Sequence, residues 1–249
     1  MPKSVHLDIA GCKIRINNLT DGQEYDFVRY FSTAVDSFDY QINIDSSVQT
    51  CTFHLARHIV EVPNVLPHNI WQYVFREILQ HFFNRKGSGF IIHCSAIAVN
   101  NNAYLFFGAN EAGKSTISSF LSKKFKKIAD DSGIIFFNKE KKYYSFFQTP
   151  FMEKYKLDKS SEEYLVSGGF FLHKNSLCVD KRVTNKSSLF LQLSKQVFTD
   201  KLRIKQQMAD VLMLANSSVP FYALRFPKDS HKVNEWFLSF LKRGHHFQL

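Results

Sequence analysis

Gly108-Ala109-Asn110-Glu111-Ala112-Gly113-Lys114-Ser115-Thr116, with Ala129-Asp130-Asp131 a short distance on, carries the strongest structural signal in this chain. Residues 108–115 fit the phosphate-binding (Walker A) pattern G-x-x-x-x-G-K-[ST]. The glycines of such a loop let successive backbone N–H groups curl around phosphate oxygens. The lysine, here Lys114, reaches the outer phosphates, and the hydroxyl of Ser115 is placed to ligate Mg²⁺. The pattern carries weight only between a strand and a helix. Residues 103–107, Ala-Tyr-Leu-Phe-Phe, read as a buried strand entering the loop. Residues 114–125 read as the helix leaving it, with its N-terminus aimed at the phosphates. The expectation is an α/β protein with a nucleotide-phosphate site built from Gly108, Ala109, Asn110, Glu111, Ala112, Gly113, Lys114, Ser115 and Thr116.

The position of the paired aspartates sharpens that expectation. A helix of about 12 residues runs roughly 18 Å from the loop at about 1.5 Å per residue. A strand of about five residues, 126–130, returns roughly 17 Å at about 3.3 Å per residue. The chain therefore comes back to the level of the phosphates and delivers Asp130 and Asp131 at the carboxyl end of the next parallel strand, where open α/β sheets hold their ligands. Adjacent carboxylates on an extended segment point different ways, so one can take a proton while the other faces a metal. A solvated turn is the competing reading, since Asp-Asp-Ser-Gly is good turn composition.

His93-Cys94-Ser95-Ala96, the strand pair after it, the loop and Ile128-Ala129-Asp130-Asp131 together resemble the kinase core of the HPr kinase family, which is related to the nucleotide-binding part of phosphoenolpyruvate carboxykinase. Residues 170–172 and 219–226 are similar to later strands of short, stand-alone relatives, so the resemblance spans about residues 88–230. It implies a HPr-kinase-like P-loop core that uses ATP and Mg²⁺. Under it, Lys114 binds the β- and γ-phosphates, and Ser115 helps hold Mg²⁺. Asp130 is the general base for a substrate hydroxyl, Asp131 faces the metal, and His93 sits beside Asp130 and modulates its charge. The acceptor it implies is a hydroxyl, most readily a serine of a peptide or protein, with a precursor peptide as one candidate. A small-molecule acceptor and a non-catalytic, nucleotide-dependent interaction protein stay open. Two departures from the family bear on the substrate. Asn110-Glu111-Ala112 stand where a Ser-Gly-x arrangement is common, and neither the glycine-rich acidic segment nor the large N-terminal domain of full-length HPr kinases is found. HPr itself is therefore not the expected target.

Composition places the chain among packed globular proteins: 249 residues, 45% hydrophobic, with 26 Phe. Cys12, Cys51, Cys94 and Cys178 are scattered and read as reduced thiols, and residues 1–8 hold no apolar leader, so the cytoplasm is the expected compartment. No apolar run approaches the roughly 20 residues that span a bilayer, so no membrane partner is expected. The net charge of +10 concentrates at residues 123–127 and 139–142. The first cluster sits at a helix end, where cations complement the dipole, and the second at a hairpin tip between strands 134–137 and 143–147. Nucleic acid is accordingly disfavoured, while a nucleotide or another acidic substrate suits the charge; homo-oligomerisation is left open.

Residues 1–65 read as a small β-rich lobe, with a hairpin over residues 5–16 about Ala10-Gly11 and strands at 40–44 and 52–55. Residues 66–249 read as the P-loop domain. It opens with a helix over 66–84 whose stripe of Ile70, Trp71, Val74, Phe75, Ile78, Leu79, Phe82 and Phe83 packs on a sheet, and which ends at Gly87. His93 on its apolar strand reads equally as a core histidine. Residues 153–163 are highly charged and read either as a substrate-facing loop or as a solvated excursion. Further helices are expected over 188–197, 202–214 and 233–241. Arg225 reads either as a residue near the nucleotide or as a surface arginine.

Overall fold

The computed structural model describes residues 3–19, 25–34, 37–64, 66–153, 157–199 and 203–243. The chain is mixed α/β with two sheets. The smaller sheet uses β1 (Lys3–Ile9), β2 (Cys12–Leu19), β3 (Tyr40–Asp45), β4 (Thr52–His54) and β5 (Ile59–Pro63) in the order β1-β2-β3-β5-β4. The expected hairpin is present, turning at Ala10 and Gly11 with φ of 53° and 78°. Helix α1 (Asp26–Phe31) lies between β2 and β3 in the chain. Val65, at the expected boundary between lobe and domain, lies outside the described residues.

Helix α2 (His68–Lys86) buries the expected stripe from Trp71 to Phe83, with Ile70 partly buried, and Gly87 at φ 62° closes it in the left-handed conformation that glycine adopts readily. Its buried residues, Trp71 through Phe83, share one apolar cluster with Ile14, Ile42 and Val60 of the small sheet and with Ile91, Ile134 and Phe151. The helix thus joins the two sheets through a common core.

The larger sheet is built from β6 (Phe90–His93), β7 (Ser95–Val99), β8 (Asn102–Phe107), β9 (Lys126–Ala129), β10 (Ser132–Asn138), β11 (Tyr143–Gln148), β12 (Tyr164–Lys174), β13 (Val179–Arg182) and β14 (Phe221–Phe226). Its order is β6-β10-β11-β12-β8-β7-β9, with β14 beside β12 and β13 beside β14. The predicted hairpin with the lysine-rich tip is β10–β11. Strands β8, β12 and β14 run parallel, so their carboxyl ends share one rim. Alternation along these strands buries both faces. Ala103, Leu105, Phe107 and Phe171 pack with Leu189, Leu193, Val211 and Leu214 of α4 (Lys186–Ser194) and α5 (Ile204–Asn216). Tyr104, Phe106, Phe170 and Leu172 face Ile117 and Leu121 of α3 (Lys114–Leu121) and Val233, Trp236 and Phe237 of α6 (Ser230–Arg243). The predicted helices correspond to α4, α5 and α6, although Leu202, the expected start of one, lies outside the described residues.

Two corrections concern the segment after the loop. The helix ends at Leu121, earlier than expected: Lys124 and Phe125 N–H both bond back to Leu121 O, and the Phe125 ring turns in to meet Phe237 edge-on. Burying that aromatic outweighs extending the helix by one exposed, lysine-rich turn. The returning strand β9 does not neighbour β8. It pairs antiparallel with β7, which lies between the two, so β9 runs in the direction of β8 one position further out.

The two ends of the strand order meet. Strand β6 passes to β7 through Cys94 alone, and β9 passes to β10 through Asp130 and Asp131. One or two residues bridge only a few ångströms, so the sheet must curl until its ends adjoin. Cys94 N–H donates to Asp131 O at that junction. The aspartate pair sits where the sheet closes on itself.

Candidate nucleotide and acceptor site

The loop between β8 and α3 has the backbone that its sequence anticipates. Ala112 N–H turns back onto Ala109 O at 3.1 Å, and Glu111 adopts φ 63°. Gly113 has φ 102°, and a Cβ there would stand 2.6 Å from Phe226 Cζ, so the position demands glycine twice over. The first helical bond runs from Ile117 N–H to Gly113 O at 2.9 Å. Ile117 and Leu121, fully buried, fix the helix on the sheet, and Ser95 Oγ donates to Lys114 O at 2.8 Å from β7. The helix N-terminus is thereby aimed at the rim where the parallel strands end.

The Lys114 ammonium donates to Gly108 O at 2.8 Å and Ala109 O at 3.2 Å. Burial lowers its proton affinity, against the opposing pull of Asp131, Cys94 and Asp130. These bonds hold the ammonium over its own loop, where phosphate oxygens could replace the two carbonyls.

A cavity of about 680 Å³ opens in front of the loop. Asn110, Glu111, Gly113, Lys114, Ser115 and Thr116 line it together with His93, Asp130 and Asp131. The structure thus gathers most of the sequence-predicted residues. Gly108, Ala109 and Ala112 shape the loop without lining the cavity. Lys174, Asn175, Phe226 and Lys228 also line it and were not anticipated from sequence. They lie at or just beyond the carboxyl ends of β12, the parallel neighbour of the loop strand, and of β14, which runs parallel beyond β12, so the rule that ligands sit at those ends could have found them. Arg225, singled out instead, is exposed within β14 and does not line the cavity.

The two aspartates are not equivalent. The Asp131 side chain is 53% exposed, and its Oδ1 lies 3.3 Å from His93 Nδ1. The Asp130 side chain is fully buried, with Oδ1 2.6 Å from Lys127 Nζ. The contact is close, yet neither carboxylate oxygen of Asp130 has a hydrogen bond of good geometry. His93 is therefore the neighbour of Asp131, not of Asp130 as the family resemblance implied. The cause is register: His93 pairs with Ser132 across β6 and β10, which sets it next to the residue just before Ser132. Burial lowers the proton affinity of His93, the Lys114 cation lowers it further, and the Asp131 carboxylate partly restores it. The Phe198 ring covers the imidazole edge-on at 6.2 Å.

The charged segment is partly a buried structure. The side chains of Glu153 and Lys159 are only 3% and 9% exposed, which corrects the reading of a wholly solvated excursion. Exposed Glu162 pairs with Lys126 at 2.6 Å, and that contact pulls its carboxyl down to about 2. Residues 154–156 of the segment lie outside the described residues. With Lys126 and Lys127 both committed to carboxylates, the lysine cluster at 123–127 is not a continuous positive patch.

Among the described residues no group of three or more His, Cys, Asp or Glu could by itself hold a metal ion. The donors that do face the cavity, Ser115 and Asp131, fit a Mg²⁺ that arrives on a nucleotide and keeps phosphate and water ligands. No helix among the described residues is long and apolar enough to cross a membrane.

No protein-family model matches the chain, and no curated protein matches it. Among solved structures, the HPr(Ser) kinase/phosphatase from Coxiella burnetii is similar at 12% identity and a TM-score of 0.29, covering 61% of this chain and 94% of that one. A likeness of that size carries no argument here.

Proposed function

We propose that this chain is a HPr-kinase-like phosphotransferase that moves the γ-phosphoryl group of ATP to a hydroxyl, with a serine of a peptide or protein as the acceptor. The observation that carries the reading is one cavity lined together by Lys114, Ser115, Thr116, Asp131 and His93. Phosphoryl transfer needs little covalent chemistry from a protein; it needs positioned phosphates, compensated charge and an acceptor oxygen that can lose its proton. The loop amides and Lys114 supply the first two, with Lys174 and Lys228 adding positive charge at the rim. Mg²⁺, held by Ser115 and phosphate oxygens, would supply further charge neutralisation.

The exposure of the carboxylates favours Asp131 over buried Asp130 as the group that meets the acceptor, which takes Asp131 out of the metal-facing role and leaves Mg²⁺ to Ser115, phosphate and water. The acceptor O–H gives its proton to Asp131 as its oxygen bonds to the γ-phosphorus. The bond from that phosphorus to the β,γ-bridging oxygen breaks, and ADP leaves with the electron pair. His93, whose proton affinity is lowered by burial and Lys114, stands beside the Asp131 carboxylate and orients it while leaving its charge in place. Asp130, sealed against Lys127, braces the junction from behind.

The test follows label from γ-phosphate-labelled ATP with Mg²⁺ into cell extract, comparing wild type with Asp131→Asn and Asp130→Asn. Label in a discrete peptide or protein, lost in Asp131→Asn, supports the reading. Label in a metabolite assigns a small-molecule acceptor. ATP binding with no transfer to extract, purified peptides or hydroxylated metabolites overturns the kinase in favour of a nucleotide-dependent interaction protein.

A further inference from the structure

One carboxylate outside the cavity grips the aspartate pair by its backbone. Glu153 Oε2 accepts the N–H of Asp130 at 3.1 Å and that of Asp131 at 2.6 Å. Its Oε1 lies 3.5 Å from Lys159 Nζ. Lys159 in turn donates to Thr149 O at 2.9 Å and to Phe151 O, which ties the carboxylate to the end of β11. Both side chains are almost wholly buried.

Such an arrangement is costly, because each ion loses most of its hydration and the gap between the two is long for an ion pair. Burial raises the proton affinity of Glu153, and Lys159 and the two N–H groups work against that rise. Net stabilisation is therefore a weak reason for the pair to be where it is. Its location supplies another. Asp130 and Asp131 are the whole link between β9 and β10, and the ladders on either side stop short of them. Their N–H groups are the handles by which that link can be held, and one carboxylate takes both.

We infer that Glu153, braced by Lys159, is a positioning residue that fixes the link between β9 and β10 so that Asp131 projects into the cavity against His93. The catalytic consequence rests on the phosphotransferase reading; the geometric one does not. Glu153 does not line the nucleotide cavity; it lines a separate one with Lys159 and reaches the link through the two amides.

The experiment uses the full chain in three forms: wild type, Glu153→Gln and Glu153→Ala. Amide hydrogen exchange of Asp130 and Asp131 is followed by NMR without nucleotide, with the Ile117 amide, which bonds to Gly113 O within α3, as an internal control. Binding of ATP with Mg²⁺ and the rate of phosphoryl transfer are measured on the same samples. Expected is exchange at both aspartate amides at least about tenfold faster in Glu153→Ala, with a smaller rise in Glu153→Gln, which keeps one acceptor oxygen. Turnover should fall at least about tenfold while nucleotide affinity stays within about twofold. If Glu153→Ala does not fold, Glu153→Gln is judged by the same criteria. Unchanged exchange in a folded variant overturns the inference whether or not transfer is seen. Faster exchange with undiminished turnover also overturns it, since Glu153 would then serve the fold alone. Absence of transfer from wild type defeats the phosphotransferase reading, and the exchange data still decide whether Glu153 holds the link.

Discussion

His93 Nδ1 lies 3.3 Å from Asp131 Oδ1, although 38 positions of sequence separate the two residues. The contact follows from the antiparallel pairing of β6 with β10, which sets Ser132 opposite His93 and Asp131 beside it. It gives the exposed aspartate a partner and leaves its neighbour, Asp130, facing inward to Lys127.

That division predicts opposite phenotypes for two adjacent substitutions. Asp131→Asn is expected to cut phosphoryl transfer by about 10²–10⁴-fold, the usual range for a positioned proton acceptor, with stability changed by less than about 0.5 kcal/mol. Asp130→Asn neutralises a buried carboxylate beside Lys127 and is expected to cost about 1–3 kcal/mol of stability. Denaturant titration of both variants beside an activity assay checks this; equal destabilisation would contradict the assignment.

The His93 titration has a defined sign. Its folded-state value lies below the ordinary 6.5, so its contribution to stability is present above 6.5 and is lost as pH falls through the lower folded value. Lys114→Ala removes a nearby cation and should move the His93 titration up, whereas Asp131→Asn removes the anion and should move it down. Imidazole NMR resonances followed across pH 4–8 read both shifts; movement in the opposite direction would mean that another charge governs the ring.

Lys114→Ala should also weaken ATP binding. Charge-assisted hydrogen bonds contribute about 1.5–3 kcal/mol each, so a loss of roughly tenfold to a hundredfold is expected by calorimetry. Lys174→Ala and Lys228→Ala remove exposed cations at the rim and should leave stability within about 0.5 kcal/mol. Each should lower nucleotide affinity by a few-fold, with a weaker dependence on salt than wild type. Affinity unchanged by either would place the phosphates away from the ends of β12 and β14.

Gly113→Ala tests the loop backbone. The added methyl meets Phe226 at 2.6 Å on a residue at φ 102°, so a cost of about 1–3 kcal/mol from backbone strain is expected before any steric term. Combining it with Phe226→Leu relieves the clash and leaves the strain, so the double variant should recover stability only in part. Full recovery in denaturant titration would show that the φ restriction does not matter.

Local chemistry made much of this protein readable from its sequence. A loop that wraps its own backbone needs glycine and a following helix, and both are written within ten residues. The α2 stripe, the two hairpins and the Gly87 stop are likewise local, because periodicity and turn preference act over a few positions. The count of helix and strand residues anticipated that Asp130 and Asp131 return to the cavity in front of the loop, although the helix has eight residues, fewer than expected, and the strand that returns is not the neighbour of β8. Pairing partners are a different matter. Nothing nearby in sequence records that β7 lies between β8 and β9, that His93 meets Asp131, or that β12 and β14 bring Lys174 and Lys228 to the rim. Nor could the charged composition of residues 153–163 reveal that Glu153 and Lys159 are buried beneath the aspartate pair. Those relationships arise from strand order and register, which are decided by how all the apolar faces can be covered at once. Sequence determined the parts and their reach; tertiary packing alone decided which side chains face one another across the site.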